Sequence, residues 1–345
     1  MENKYYDGTK LLSLKDLNGN RPEIYICTGN RTAGKTTYFN RLLVNGFLKR
    51  KEKFVLLYRF NYELASCAER FFKDIQVLFF PNDRMDSKPK MQGAFHELYY
   101  NDMPCGYAMA LNKADTIKKC SHLFNDVSRI LFDEFQSETN HYCPDELTKF
   151  QSIHMSIARG KNQMTRYVPV IMVSNAVTIL NPYYTAMGIS ARLRSDTKYL
   201  KGDGFVLENT FNSAAAEAVT TSGFNRAFAG SSYIKYASEN IYLNDNAAFV
   251  DKPEGSGTYV CTLKYKDRNF AVREYAAAGY LYCDDRPDLS FPRRIAITTD
   301  DHQINYVMLK HNDLMIETFR QYFRQGCFRF KNLESKECIM AALSY

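Results

Sequence analysis

EIYICTGNRTAGKT, residues 23–36, decides how the chain is read. Glu23 to Cys27 is a short apolar strand, and a helical stretch running to about Lys49 follows Thr36. Between them, Gly29-Asn30-Arg31-Thr32-Ala33-Gly34-Lys35-Thr36 fits the phosphate-loop pattern G-x-x-x-x-G-K-[ST] at every fixed position. Glycines let such a loop curl until its N–H groups point at phosphates, and the helix N-terminus adds its positive end. Lys35 supplies charge at the outer phosphates, and the Thr36 hydroxyl is placed to ligate magnesium. The expected ligand is ATP with Mg2+, cradled by Gly29 to Thr36.

The stretches on either side predict a doubly covered α/β sheet. Phe54 to Phe60 (FVLLYRF) is a second strand and Asn61 to Ile75 a helix. Tyr99 to Leu111 has the composition of a hairpin insertion. Arg129 to Asp133 (RILFD) is a third core strand, Pro144 to Ala158 a helix, and Tyr167 to Ser174 (YVPVIMVS) a fourth strand. Apolar strands alternating with helices imply a mostly parallel sheet covered on both faces. After about Gly204 the texture changes. Asn209 to Asn244, rich in Ala, Ser, Asn and Gly, reads as a connector with short helical pieces or as a disordered linker. Gly257 to Tyr282 gives two or three antiparallel strands, with a turn at Lys266 to Asn269. Arg294 to Thr299 adds a strand and Ile304 to Phe328 a helix or two. The expected division is 1–205 for the P-loop domain, 206–255 for the linker and 256–345 for a small α+β domain.

A phosphate loop needs a carboxylate at the same end of the sheet, and Asp133-Glu134 supplies two. Asp133 is the expected magnesium holder, and Glu134 is placed to orient and deprotonate water. Read alone, the pair would also suit a strand running into a helix N-cap. Ser174 and Asn175, closing the next strand, are expected beside Asp133, where polar groups can sense the outer phosphate. Arg31 stands where small residues are commoner; it could meet the outer phosphate in cis, reach a neighbouring element or face solvent. Arg159 closes the helix after Asp133, where a cation complements the helix dipole; the sharper reading is an arginine finger offered to a neighbouring subunit's ATP. Lys118 and Lys119 are similar candidates.

Bulk properties exclude little. The 345 residues carry a net charge of +7, which suits a polyanionic partner and equally an ordinary basic protein. Nine cysteines without C-x-x-C spacing read as reduced intracellular thiols. No apolar run approaches the roughly 18–20 residues needed to span a bilayer, and Met1 to Lys10 is too polar for a signal peptide, so a cytoplasmic location and no membrane partner are expected.

NRTAGKT, FVLLYRFNYEL, RILFDEF and MVSNAVTILNPYY together resemble viral genome-packaging ATPases, relatives of terminase large subunits. The likeness is to the DNA encapsidation proteins of phi29-like podophages. It is concentrated in residues 23–184 and extends weakly through IAITTDD and GCFRF. The resemblance implies an additional-strand (ASCE) ATPase in a homo-oligomeric ring of five at the portal of a procapsid, in the bacterial host cytoplasm and absent from the mature virion. The ring would drive double-stranded DNA inward, with a packaging RNA as tether, and Arg59 and Asn61, ending the second strand, are candidates for contact with that DNA. It also implies catalytic roles for Lys35 and Glu134, a trans-acting finger near Arg159 and a trans-acting lysine near Lys119. For the C-terminal domain it implies an RNase H-like fold. The candidate first strand, Thr258 to Tyr265, carries no acid, and Asp300-Asp301 alone cannot build a two-metal site, so a nuclease-dead domain is expected. Lys264, Lys266, Arg268, Arg293 and Arg294 are its candidate basic face. A DNA helicase, a P-loop kinase and a nucleotide-binding module without turnover remain open alternatives, since P-loop folds host many activities.

Overall fold

The computed structural model describes residues 5–344 apart from 140, 161–163, 180, 191, 194–196, 229–230, 240–249, 251 and 326. The chain divides into two compact units, one comprising 1–136, 146–177 and 193–241, the other 137–145, 178–192 and 242–345.

The first unit is built on nine strands: β1 (Ile24–Gly29), β2 (Lys53–Tyr58), β3 (Met85–Lys90), β4 (Phe95–Tyr100), β5 (Met103–Ala110), β6 (Val127–Asp133), β7 (Val170–Asn175), β8 (Tyr199–Gly202) and β9 (Phe205–Thr210). Their order in the sheet is β3-β4-β5-β2-β6-β7-β1-β9-β8. The six central strands run parallel, while β3, β4 and β8 add antiparallel edges. Successive side chains of a strand point to opposite faces. In β1 and β6 both sets are buried: Tyr25 and Cys27 with Leu131 on one side, Ile26 with Ile130 and Phe132 on the other. That is why these strands read as continuous apolar runs. Helix Lys35–Arg50 covers the first face with Phe39, Leu43, Val44 and Phe47, one stripe at helical spacing. On the other face Phe150 of helix Glu146–Ile157 stacks on Phe132, ring centres 5.9 Å apart. Each such fully buried side chain contributes about 1.5–3 kcal/mol.

Two expectations change here. The hairpin expected at 99–111 exists as β4 and β5, but β5 is a member of the parallel core, paired with β2. The boundary expected at 205 falls on the first residue of β9, which lies parallel to β1 over its whole length. The first unit therefore continues through helices Ser213–Thr221, Gly223–Ala227 and Ser232–Glu239. The stretch read as a connector is helical over 213–221, 223–227 and 232–239, which belong to this unit; 229–230 and 240–249 lie outside the described residues.

The second unit carries β10 (Thr258–Tyr265), β11 (Arg268–Tyr275), β12 (Tyr280–Asp284), β13 (Arg294–Ala296), β14 (Val307–Met308) and β15 (Phe328–Phe330), in the order β14-β13-β10-β11-β12-β15. The first three form the expected antiparallel meander, joined by a two-residue turn in which Lys266 and Asp267 both have positive φ. β13 runs parallel to β10, β14 to β13 and β15 to β12. Cys261, Leu263, Val272, Leu281 and Ile295 form one face of the core, with Phe319 of helix Asp313–Arg324 and Ile339 and Leu343 of helix Leu333–Leu343 against them. The segments that leave β6 and β7, 137–145 and 178–192, are part of this unit, and Ile179 packs on its core.

Candidate active site

The glycines of the phosphate loop are there for different reasons. Gly34 has φ +86°, a left-handed conformation that starts the helix at Lys35 and that L side chains avoid. Gly29 is required by packing: a Cβ there would lie 2.3 Å from the Thr210 carbonyl oxygen of β9. Asn30 is buried, and its side chain is committed to the chain entering helix Ser213–Thr221. Its Nδ2 donates to the Asn212 carbonyl at 2.9 Å, and its Oδ1 accepts from the Asn212 amide at 2.9 Å. Arg31 does not line the cavity described below. Its guanidinium lies over the rings of Tyr233 and Tyr236, 5.3 and 6.0 Å from their centres. Asn30 and Arg31 thus tie the loop to the helices after β9.

Parallel pairing brings the second half of the site alongside. β7 lies between β1 and β6, with Gly29 opposite Asn175, Thr28 opposite Ser174, and Asp133 opposite Val173. Asp133, Glu134, Ser174 and Asn175 therefore meet Thr32 to Thr36 around one cavity of about 660 Å3. Lys35 is buried at its floor, its Nζ donating to the Asn30 carbonyl (2.7 Å), the Gly29 carbonyl (3.3 Å) and Asn175 Oδ1 (3.4 Å). Burial lowers its pKa, and the nearby Asp133 opposes that shift. Thr36 Oγ1 donates to Asp133 Oδ1 at 3.2 Å. Burial pushes Asp133 up to about 6, with Glu134 adding to the rise, so this carboxylate lacks full cationic compensation. A hydroxyl and an under-compensated carboxylate at this spacing fit a divalent cation. Ser174 Oγ is buried with no hydrogen-bond partner among the described residues, the kind of group that a ligand oxygen or bound water completes.

Glu134 follows β6 in a left-handed conformation, φ +53°, costly for a residue with a side chain and characteristic of strained functional positions. Its amide donates to Asp133 Oδ1 at 3.0 Å. Arg59 fixes the backbone beyond: Nη1 donates to the Glu134 carbonyl (3.4 Å) and Nη2 to the Phe135 carbonyl (2.7 Å). Its Nε pairs with Glu146 Oε2 at 2.9 Å, and both residues are buried. Arg59 is therefore not free to meet DNA, which corrects the expectation from its place at the end of β2. No pattern in the sequence marks it, because the pairing joins residues 59, 134 and 146. Asn61, the other candidate, starts helix Asn61–Phe79 and its amide donates to Asn112 Oδ1.

The proposed trans-acting residues stand apart. Arg159 follows helix Glu146–Ile157 and is exposed; Lys118 and Lys119 end helix Ala114–Lys119 and are exposed; none of them lines the cavity.

In the second unit most of the candidate basic face is taken up by acids. Lys264 is buried, 3.5 Å from Asp267; Lys266 pairs with Glu337 at 2.6 Å and Arg268 with Glu334 at 2.5 Å. Arg293 is exposed, and Arg294 donates to the Leu289 carbonyl. Asp301 is buried in a turn after β13, accepting from Thr298 Oγ1 and from the Asp267 amide. Among the described residues no group of three or more His, Cys, Asp or Glu is placed to share a metal ion.

A phosphate loop after β1, an acid pair after β6 and a polar strand end between them define a P-loop nucleotide hydrolase with an additional strand in the sheet. Comparison with known proteins narrows the class. The model of the Podovirus DNA encapsidation protein (Gp16) family matches residues 2–343, and the chain belongs to that family. It is 23% identical to the DNA packaging protein of Bacillus phage phi29 over 332 residues, 95% of this chain and 93% of the relative. Its identity to the DNA packaging protein of Bacillus phage B103 is also 23%, over 308 residues, 88% and 91% of the two chains. The fold is similar to a chain of the bacteriophage Phi-29 viral genome packaging motor assembly, with TM-score 0.55, 23% identity and coverage of 96% and 95%. It is likewise similar to the Phi-28 gp11 DNA packaging motor, with TM-score 0.58, 17% identity and coverage of 100% and 99%. The chain is a DNA-packaging ATPase.

Proposed function

We propose that this protein hydrolyses ATP at the cavity between the phosphate loop and Asp133-Glu134, and uses the cycle to move double-stranded DNA into a procapsid. The observation that carries the chemistry is the convergence of Lys35, Thr36, Asp133, Glu134, Ser174 and Asn175 on one cavity. Lys35 already bonds to three oxygens, two of them carbonyls of the loop itself. Phosphate oxygens would replace some of these, so the cation is held in place before the ligand arrives. Thr36 and Asp133 would hold magnesium, which supplies positive charge against the phosphate oxygens. Glu134, at the cavity wall, orients the attacking water and accepts its proton. Ser174 and Asn175 meet the outer phosphate; Asn175 loses or keeps its contact with Lys35 according to what is bound. Glu134 favours hydrolysis over transfer to a small acceptor, which counts against the kinase alternative.

Family membership supports a homo-oligomeric ring at the portal, acting at the procapsid in the host, with five subunits and an RNA tether as the finer proposal. Arg159 and Lys119, exposed and outside the cavity, are available to a neighbouring subunit's ATP. The strand order of the second unit supports an RNase H-like fold: a three-stranded meander with β13 and β14 added parallel beside its first strand. Nuclease loss is proposed from its residues. At the paired positions of β10 and β13 stand Thr262 with Arg294 and Lys264 with Ala296, where carboxylates would be needed.

Steady-state ATPase activity with and without duplex DNA, on wild type and Glu134→Gln, tests the proposal. DNA-stimulated turnover that falls at least about a hundredfold in the variant, with ATP binding retained, is expected. Turnover indifferent to both DNA and Glu134 would sink it.

A further inference from the structure

The cavity is larger than a triphosphate needs, and its far end has a different character. Beyond the phosphate loop it is lined by Tyr5, Tyr38, Arg41, Leu78 and Phe79. Two of these come from helix Lys35–Arg50, two from the end of helix Asn61–Phe79, and Tyr5 from the segment before the first helix.

That segment is fixed to the phosphate loop. The Tyr6 amide donates to the Ala33 carbonyl at 2.8 Å. The Tyr6 hydroxyl donates to Glu208 Oε2 of β9 at 2.7 Å, and Tyr199 of β8 donates to the other oxygen at 2.8 Å. The Tyr6 ring sits edge-on to Tyr38, 5.5 Å between centres, and Tyr38 edge-on to Phe39 at 5.2 Å. Tyr6 is buried and anchored, whereas its neighbour Tyr5 is 63% exposed. The Tyr5 ring stands beside the phosphate loop, with Cδ1 3.5 Å from where a Cβ on Gly34 would be. Elsewhere in the lining Leu78 is 64% exposed, and the Arg41 guanidinium lies 4.3 Å from the centre of the Phe79 ring.

An exposed aromatic beside a buried, hydrogen-bonded one is an expensive surface to leave in water. A flat π-system is the ligand that covers it, because aromatic rings and nucleobases stack face to face with little demand on edge chemistry. We propose that this end is the base subsite: the purine of the bound nucleoside triphosphate stacks on Tyr5 and is walled by Tyr38, Leu78 and Phe79. The inference rests on the reading of the other end as the phosphate site. It assigns the N-terminal segment a part in binding: Tyr6 holds the segment to the loop, and Tyr5 presents the stacking face.

The test separates the base from the phosphates. Binding of Mg-ATP and of magnesium tripolyphosphate, which has no base, is measured by calorimetry on wild type, Tyr5→Ala and Tyr5→Phe. Tyr5→Ala is expected to weaken ATP roughly tenfold or more while leaving tripolyphosphate unchanged, and Tyr5→Phe to bind both as wild type does. The chain contains no tryptophan, so Tyr5→Trp installs a sole reporter. Its emission should be quenched by ATP and not by tripolyphosphate. Unchanged ATP affinity in Tyr5→Ala, or an equal loss for both ligands, would overturn the base subsite while leaving the phosphate site intact. If wild type bound neither ligand, the parent reading would fall, and this one with it.

Discussion

The two units treat buried charge in opposite ways. In the first, apart from the closed Arg59–Glu146 pair, ionisable groups converge on a cavity where burial works against their charges. Asp133 is raised to about 6 by burial, Lys35 is lowered by it, and Ser174 Oγ has no partner among the described residues. In the second, charges are closed among themselves. Arg273 holds buried Asp284 at 3.0 Å, Lys331 holds Asp285 at 2.5 Å, and Asp301 is spent on its own turn. Perturbed groups around a cavity are poised for a ligand, whereas paired groups stabilise a fold. The contrast puts the ATPase chemistry in the first unit.

Substitutions can break that contrast, and the largest effect belongs at the cavity floor. Lys35→Ala removes the only described cation lining the phosphate end, and ATPase turnover is expected to fall at least about a thousandfold in steady-state assays while the fold persists. Arg59→Met should be nearly as severe and for two reasons. It leaves Glu146 buried without its guanidinium, costing about 3–5 kcal/mol in denaturant unfolding, and it frees the backbone of Glu134. The double variant Arg59→Met/Glu146→Met separates these effects. Stability should return to within about 1–2 kcal/mol of wild type, because both buried charges are gone. Turnover should stay at least about tenfold down with KM little changed, because nothing then fixes the Glu134 carbonyl. Recovery of turnover along with stability would reduce Arg59 to a structural residue.

Tyr6→Phe is a milder probe of the same unit. Losing one hydrogen bond to Glu208 should lower stability by about 1–2 kcal/mol and raise KM for ATP a few-fold by loosening the segment that carries Tyr5. In the second unit, Lys266→Ala and Arg268→Ala remove exposed ion pairs with Glu337 and Glu334. Each should change stability by less than about 1 kcal/mol and leave the DNA-independent turnover unaltered. A large loss of that turnover in either would show that the division of labour is wrong.

The phosphate loop, the strand before it, the helix after it and the acids ending RILFD were all legible in the chain, because each is a local pattern with a local physical cause. A full G-x-x-x-x-G-K-T between strand and helix specifies a phosphate cradle wherever it occurs, and apolar runs closed by carboxylate specify a core strand with a polar tip. The meander of the second unit was legible for the same reason, its turn at Lys266-Asp267 lying between two alternating strands.

Tertiary structure alone decided the rest. That Gly29 serves β9, that Asn30 and Arg31 turn to helices some two hundred residues on, and that Arg59 locks the backbone of Glu134 are outcomes of strand order. Strand order is set by which apolar faces bury one another across long separations, and a burial pattern along one strand carries no record of its neighbour. The extent of the first unit was misjudged on the same ground. β9 looks like the start of a linker until β1 is beside it, and the boundary at 205 follows composition where the chain follows hydrogen bonds. Local pattern thus marked the loop and the acid pair, and only the fold decided which remote side chains hold them in place.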